Sequence, residues 1–199
     1  NIRRILKEKK VGHGGTLDPF AEGVLIIGTG KDTKKLTDIT HESKIYDAEL
    51  KLGELTNTLD PEGLVVEKKN VPRLDEKKIN NVLESFLGNS FQIPPMFSAK
   101  KVNGQKLYTL ARQNIEIKRE PIKICIDFIK LIDFKDNIIS FSVKSSKGTY
   151  IRVLGKDIAE KLNTVGSLIS LKRTSVGSFS INDSIRMETL EREWKSLGN

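Results

Sequence analysis

The segment Gly12-His13-Gly14-Gly15-Thr16-Leu17-Asp18-Pro19 places a carboxylate on a glycine-flanked turn with an imidazole nearby. Such a carboxylate can act as a nucleophile or as a general base. Pro19 disfavours the α region at Asp18 and biases its backbone towards extended geometry. Two other readings compete. Glycines ahead of a helix can cradle phosphate. Here, however, no Gly-Lys-Ser/Thr ending follows, and no acid stands at the spacing of a dinucleotide site. Asp-Pro is also an ordinary turn dipeptide, and residue types alone favour that plainer role.

A carboxylate shut away from water tends to take up a proton, and a fixed cation opposes this. Arg152, in Gly148-Thr149-Tyr150-Ile151-Arg152, is a candidate for that cation. Arginine stays charged and grips a carboxylate with parallel N–H groups. Alone it reads more readily as a solvated surface charge. Its run reads as a buried strand, which would put Tyr150 and Arg152 on one face. Tyr46 falls inward by alternation, as a core residue or a ligand. His13 is a base, a structural residue or a stacking group. His41 has no evident role. Lys100, Lys101, Lys106, Arg112, Lys118 and Arg119 surround Tyr108, a pattern shared by solvated loops and RNA-binding segments. Lys9, Lys10, Lys172 and Arg173 are further candidates for phosphate contacts.

These residues need a scaffold. Residues 2–10 and 31–41 read as helices, with Leu36 and Ile39 inward in the second. Val24–Ile27 is a short apolar run, a buried strand or a helix start. In 44–53, Tyr46, Ala48, Leu50 and Leu52 alternate as in a half-buried strand, and Leu64–Glu67 follows the 58–63 turn as a partner strand. Residues 75–87 carry Ile79, Val82, Leu83, Phe86 and Leu87 at helical spacing, with Asp75 as N-cap and Gly88 as stop. Residues 91–114 read as an excursion from the core, with a short helix near 106–113. Ile122, Ile124, Ile126 and Phe128 share a strand face, and Asp136-Asn137 turns into a second strand. A helix over 154–163, a strand pair over 167–181 and a charged helix over 187–197 complete the order. No regular βαβ repeat appears, so the fold class is α+β with a largely antiparallel sheet flanked by helices.

Composition sets the outer limits. Lys plus Arg is 34 against 26 acids, a net charge of +8 that suits a polyanionic partner without singling one out. The single cysteine, Cys125, rules out an internal disulfide and reads as a small packed strand residue. With two histidines it leaves no basis for a His/Cys zinc site. No apolar run is long enough to cross a membrane, and no secretory signal opens the chain. A reducing, cytoplasmic setting is the simplest expectation.

The run KVGHGGTLDPFAEGVLIIGTG resembles the signature of the bacterial TruB-type tRNA pseudouridine-55 synthases. Lys44-Ile45-Tyr46, GELTNTLDPEG at 53–63, IPPMFSAKKVNGQKLYTLAR at 93–112, SKGTYIR at 146–152 and Leu171-Lys172-Arg173 resemble its other segments, in the same order. The resemblance implies a pseudouridine synthase fold over 1–182, an RNA-clamping insertion at 94–119 and a helical tail at 183–199. It implies isomerisation of the T-loop uridine of tRNA at position 55, with no metal, redox cofactor or nucleotide. Asp18 becomes the nucleophile on a flipped-out base, Arg152 its charge partner, and Tyr46 the ring that stacks on the base and handles a proton. Tyr150 and Leu171 hold substrate, and His13 displaces the target nucleotide. Lys100, Lys101, Lys106, Arg112, Lys172 and Arg173 contact RNA, and the protein acts as a monomer. The family's Lys-Pro-x-Gly-x-Ser/Thr-Ser strand and its C-terminal PUA-type domain have no counterpart here, and the chain opens on Asn1, so a fragment is expected. Gly14 stands where the family more often has threonine. A guide-RNA-dependent synthase would share the catalytic residues but not the clamp. A non-catalytic RNA-binding module would not need Asp18, Tyr46 and Arg152 together.

Overall fold

The computed structural model describes residues 2–102 and 104–196. A mainly antiparallel sheet forms its centre. Its strands run in the order Phe179–Ser180, Gly166–Val176, Lys44–Leu52, Ile138–Ser145, Ile122–Lys135, Gly88–Gln92. The short Glu22–Gly23 strand adds a parallel pairing to Gly166–Val176.

Alternation in Lys44–Leu52 buries Ala48, Leu50 and Leu52 on one face, as the pattern predicts. Ile139, Phe141 and Val143 of the next strand join them, with Leu168 and Leu171 from the other side. Two helices cover this face. Glu76–Glu84 contributes Ile79 and Leu83, and the Asp75 carboxylate caps it by accepting from the Lys78 amide at 2.7 Å. Ile151–Lys161 contributes Ile151, Leu154, Ile158 and Ala159. Among the described residues no helix is long and apolar enough to cross a membrane.

Several elements differ from expectation. Ile151–Lys161 starts earlier than predicted, so Arg152 lies in a helix and Tyr150 at its N-cap, not on one strand face. Three bulky apolar residues in four positions mimic a buried strand when only that short window is read. Gly88–Gln92 is an edge strand of the sheet, paired with the start of Ile122–Lys135, so the excursion departs only after Gln92. A register shift between Ile126 and Phe128 turns Phe128 outward and brings Ile129 in. Cys125 is half-buried in the same strand. The first helix is confined to Ile2–Ile5, and 31–41 divides into a 3-10 turn and a helix over Leu36–His41. The last helix is Met187–Ser196; residue 197, its expected end, lies outside the described residues.

Candidate active site

Asp18 sits on a tight turn in which its carbonyl accepts from the Ala21 amide at 2.9 Å. It is thus both the turn residue that Asp-Pro suggests and an accessible carboxylate. Arg152 holds it with two parallel hydrogen bonds: Nε donates to Oδ2 and Nη2 to Oδ1, both at 2.8 Å. The guanidinium also donates to the carbonyls of Thr58 at 2.7 Å and Phe97 at 2.8 Å, and Nη1 lies 3.2 Å from Asp60 Oδ2. Arg152 is 3% exposed, whereas the Asp18 side chain keeps about a third of its surface open. One buried cation therefore orients the carboxylate from behind and leaves its front to the cavity.

Asp60, in the 53–63 segment, also reaches Arg152, a contact that no spacing in the sequence marks. It is buried, accepts from Thr58 Oγ1 and the Glu62 amide, and shares the charge of Arg152 with Asp18. Two carboxylates on one buried guanidinium fix its plane from two sides.

The loop that carries Asp18 is pinned by a second buried arginine. Arg173 donates to the carbonyls of Val24 at 2.7 Å, Gly15 at 3.0 Å and Thr16 at 3.5 Å, so it clasps the loop on both sides of Asp18. It is 1% exposed and cannot reach a phosphate in solution, which removes it from the expected RNA contacts. Neighbouring Lys172 points outward and remains available. The loop backbone presses so closely here that a Cβ on Gly23, at φ +109°, would stand 2.2 Å from the Arg173 carbonyl oxygen. Gly14 is likewise confined: a Cβ there would lie 2.9 Å from Ile39 Cγ2, the room being taken by the helix Leu36–His41.

A cavity of about 220 Å³ opens in front of Asp18, lined by Thr16, Leu17, Tyr46, Ser98, Tyr150 and Leu171 among others. Tyr46 projects from Lys44–Leu52 where that strand pairs with Arg173. Burial pushes its phenol pKa up, Arg173 beside it opposes this, and the Asp18 carboxylate reinforces it. Burial also raises Tyr150, with the Ser98 hydroxyl acting against it. Both phenols are thus held in their neutral form near pH 7. The backbone of Tyr150 is gripped by buried Gln92, whose Oε1 accepts from the Tyr150 amide at 2.8 Å while Nε2 donates to its carbonyl at 3.1 Å. No spacing in the sequence marks Gln92 for this role; only its place as the last residue of the edge strand does.

The structure brings Asp18, Tyr46, Tyr150, Arg152 and Leu171 together as the sequence predicts. His13 is exposed in Val11–His13, outside that lining. Lys101, Lys106 and Arg112 are exposed on the 94–119 segment and Lys100 is half-buried. Lys106 Nζ and the Arg112 guanidinium lie 5.4 and 5.6 Å from the centre of the Tyr108 ring. Among the described residues no group of three or more His, Cys, Asp or Glu side chains is placed to hold a metal ion.

Residues 3–151 match the family described as TruB family pseudouridylate synthase (N terminal domain). A protein of Clostridium kluyveri named tRNA pseudouridine synthase B is 49% identical over 96% of this chain and 66% of its own length. One of the same name from Ureaplasma urealyticum serovar 10 is 42% identical over 98% of this chain and 86% of its own length. The chain thus spans about two thirds of the clostridial relative. A chain in the crystal structure of a Cbf5-Nop10-Gar1 complex superimposes with a TM-score of 0.75 at 26% identity, over all of this chain and 51% of that one.

Proposed function

This chain belongs to the TruB family of pseudouridylate synthases, and on that premise we propose that it converts the T-loop uridine at tRNA position 55 to pseudouridine, with Asp18 as nucleophile. The observation that carries this reading is the two-pronged Arg152–Asp18 pair at the wall of a small cavity flanked by Tyr46, Tyr150 and Leu171. Pockets for drug-sized molecules run to about 300–1,000 Å³. At about 220 Å³ this one suits a single base better than a dinucleotide. The clamp-like insertion and the names of the relatives favour tRNA over a guide-dependent substrate.

The chemistry follows from the groups present. The uridine leaves its stack and enters the cavity, since the reacting atoms are otherwise covered. The Asp18 carboxylate forms a transient covalent bond that lets N1–C1′ break. The uracil turns, C5–C1′ forms and Asp18 is released. Hydrogen is lost from C5 and gained at N1, so the reaction is an isomerisation and consumes no redox equivalent. The ring of Tyr46 stacks on the base, and its phenol shuttles the proton: it gives one to N1 and, as the phenolate so formed, takes the one from C5. Tyr150 and Leu171 close the walls and keep water from attacking C1′ while the base is detached. His13 helps displace the target nucleotide. Lys100, Lys101, Lys106, Arg112 and Lys172 meet phosphates along the stem.

Incubating the protein with an unmodified tRNA transcript and mapping pseudouridine tests this. Product confined to the T loop is expected. Product at another uridine, or none, would overturn the substrate assignment.

A further inference from the structure

Ser98 is 5% exposed, and its Oγ is buried without a hydrogen-bond partner. A buried hydroxyl left unpaired costs stability, so native chains keep few of them. Of the buried side-chain polar atoms without partners among the described residues, this is the one whose residue lines the cavity in front of Asp18. The residue itself is firmly held. Its amide donates to the Met96 carbonyl at 2.9 Å, and its carbonyl accepts from the Tyr108 amide, in the short helix Leu107–Ala111, at 3.0 Å. The preceding carbonyl, of Phe97, accepts from Arg152. The hydroxyl is therefore fixed relative to the Asp18–Arg152 pair. It approaches the Tyr150 phenol closely enough to oppose the rise in that group's pKa but makes no hydrogen bond of full geometry there, so its donor and acceptor capacity stays open to a ligand.

We propose that Ser98 Oγ binds the imide edge of the uracil and holds it through its turn, an inference that rests on the function proposed above. Between cleavage and rejoining, the base must exchange N1 for C5 opposite C1′. A half-turn about the line through N3 and C6 does this, and it also exchanges O2 for O4 while N3–H stays in place. A partner on the imide edge meets the same pattern of carbonyl, N–H and carbonyl before and after. A rotatable hydroxyl can donate to whichever carbonyl arrives, so the detached base keeps one anchor while its other edge reorients.

The test measures single-turnover rates and RNA affinity for wild type, Ser98→Ala and the near-isosteric Ser98→Cys. The T-loop RNAs carry uridine, 2-thiouridine or 4-thiouridine at the target. Both variants should react roughly tenfold more slowly with saturating uridine RNA, the worth of one hydrogen bond. Their affinity for RNA should be unchanged, and the Tm of Ser98→Ala unchanged or higher. Sulfur is a poor acceptor, so at least one thio substitution should slow wild type while adding little to the slowing in Ser98→Ala. Wild-type rates in both variants, a lowered Tm in Ser98→Ala, or equal thio penalties in wild type and Ser98→Ala would overturn the role of Ser98. Absence of product from wild type with uridine RNA would instead overturn the functional reading beneath it.

Discussion

The pocket around Asp18 and the segment over 94–119 use positive charge in opposite ways. In the pocket, Arg152 and Arg173 are almost wholly buried, and their N–H groups are taken up by carboxylates and backbone carbonyls. On that segment, Lys101, Lys106 and Arg112 stand in solvent, with the Tyr108 ring as a neighbour for the last two. Buried and saturated, a guanidinium sets geometry. Exposed, a cation attracts phosphate over a distance set by salt. Charge count alone does not separate these uses, which is why Arg173 looked like an RNA contact beside Lys172.

The comparison breaks most visibly at Arg152. Arg152→Met strands buried Asp60 and frees Asp18, so a loss of about 3–5 kcal/mol in urea unfolding is expected, with turnover abolished. A change near zero would mean that the pair is not a structural anchor. Arg173→Met leaves the carbonyls around the Asp18 loop without donors and should cost about 1–3 kcal/mol. The salt dependence of its RNA binding should match wild type, and a shallower dependence would restore Arg173 as a phosphate contact. Lys106→Ala and Arg112→Ala should leave stability within about 0.5 kcal/mol. Each should lower the slope of log affinity against log salt by about 0.9 if it meets one phosphate.

The smallest effect concerns Asp157, on the same helix as Arg152. Burial is the main cause that pushes its pKa up to about 6, with Lys156 opposing. The folded state then binds a proton more tightly than the unfolded one. This contribution should weaken stability as pH rises from about 4, where the unfolded carboxyl titrates, to about 6, where the folded one does. Asp157→Asn should flatten that segment of the stability–pH curve, read by Tm across pH 4 to 7. An unchanged slope would show Asp157 to be better solvated than its surroundings suggest.

Much of this was readable from the chain. The alternation in 44–53 located Tyr46 and the central strand, and Asp75 and the spacing after it located a helix. Motif order brought Asp18 and Arg152 together across the sequence, which no local pattern can do. The N-terminus of Ile151–Lys161 was hidden because Tyr-Ile-Arg-Val-Leu suits a buried strand as well as a buried helix. Gln92 and the burial of Arg173 were hidden for another reason. Their roles come from partners far along the chain, Tyr150 for Gln92 and the 15–24 loop for Arg173. Phe128 failed the alternation rule because one bulge shifts every side chain beyond it to the other face.

The most direct measurement sets Asp18→Asn beside wild type on one T-loop RNA, reading pseudouridine formed and RNA bound. Asparagine keeps the shape of the side chain, and Asp60 remains on Arg152, so folding and RNA affinity should persist while product formation disappears. Pseudouridine at the wild-type rate from Asp18→Asn would contradict the assignment of Asp18 as the nucleophile.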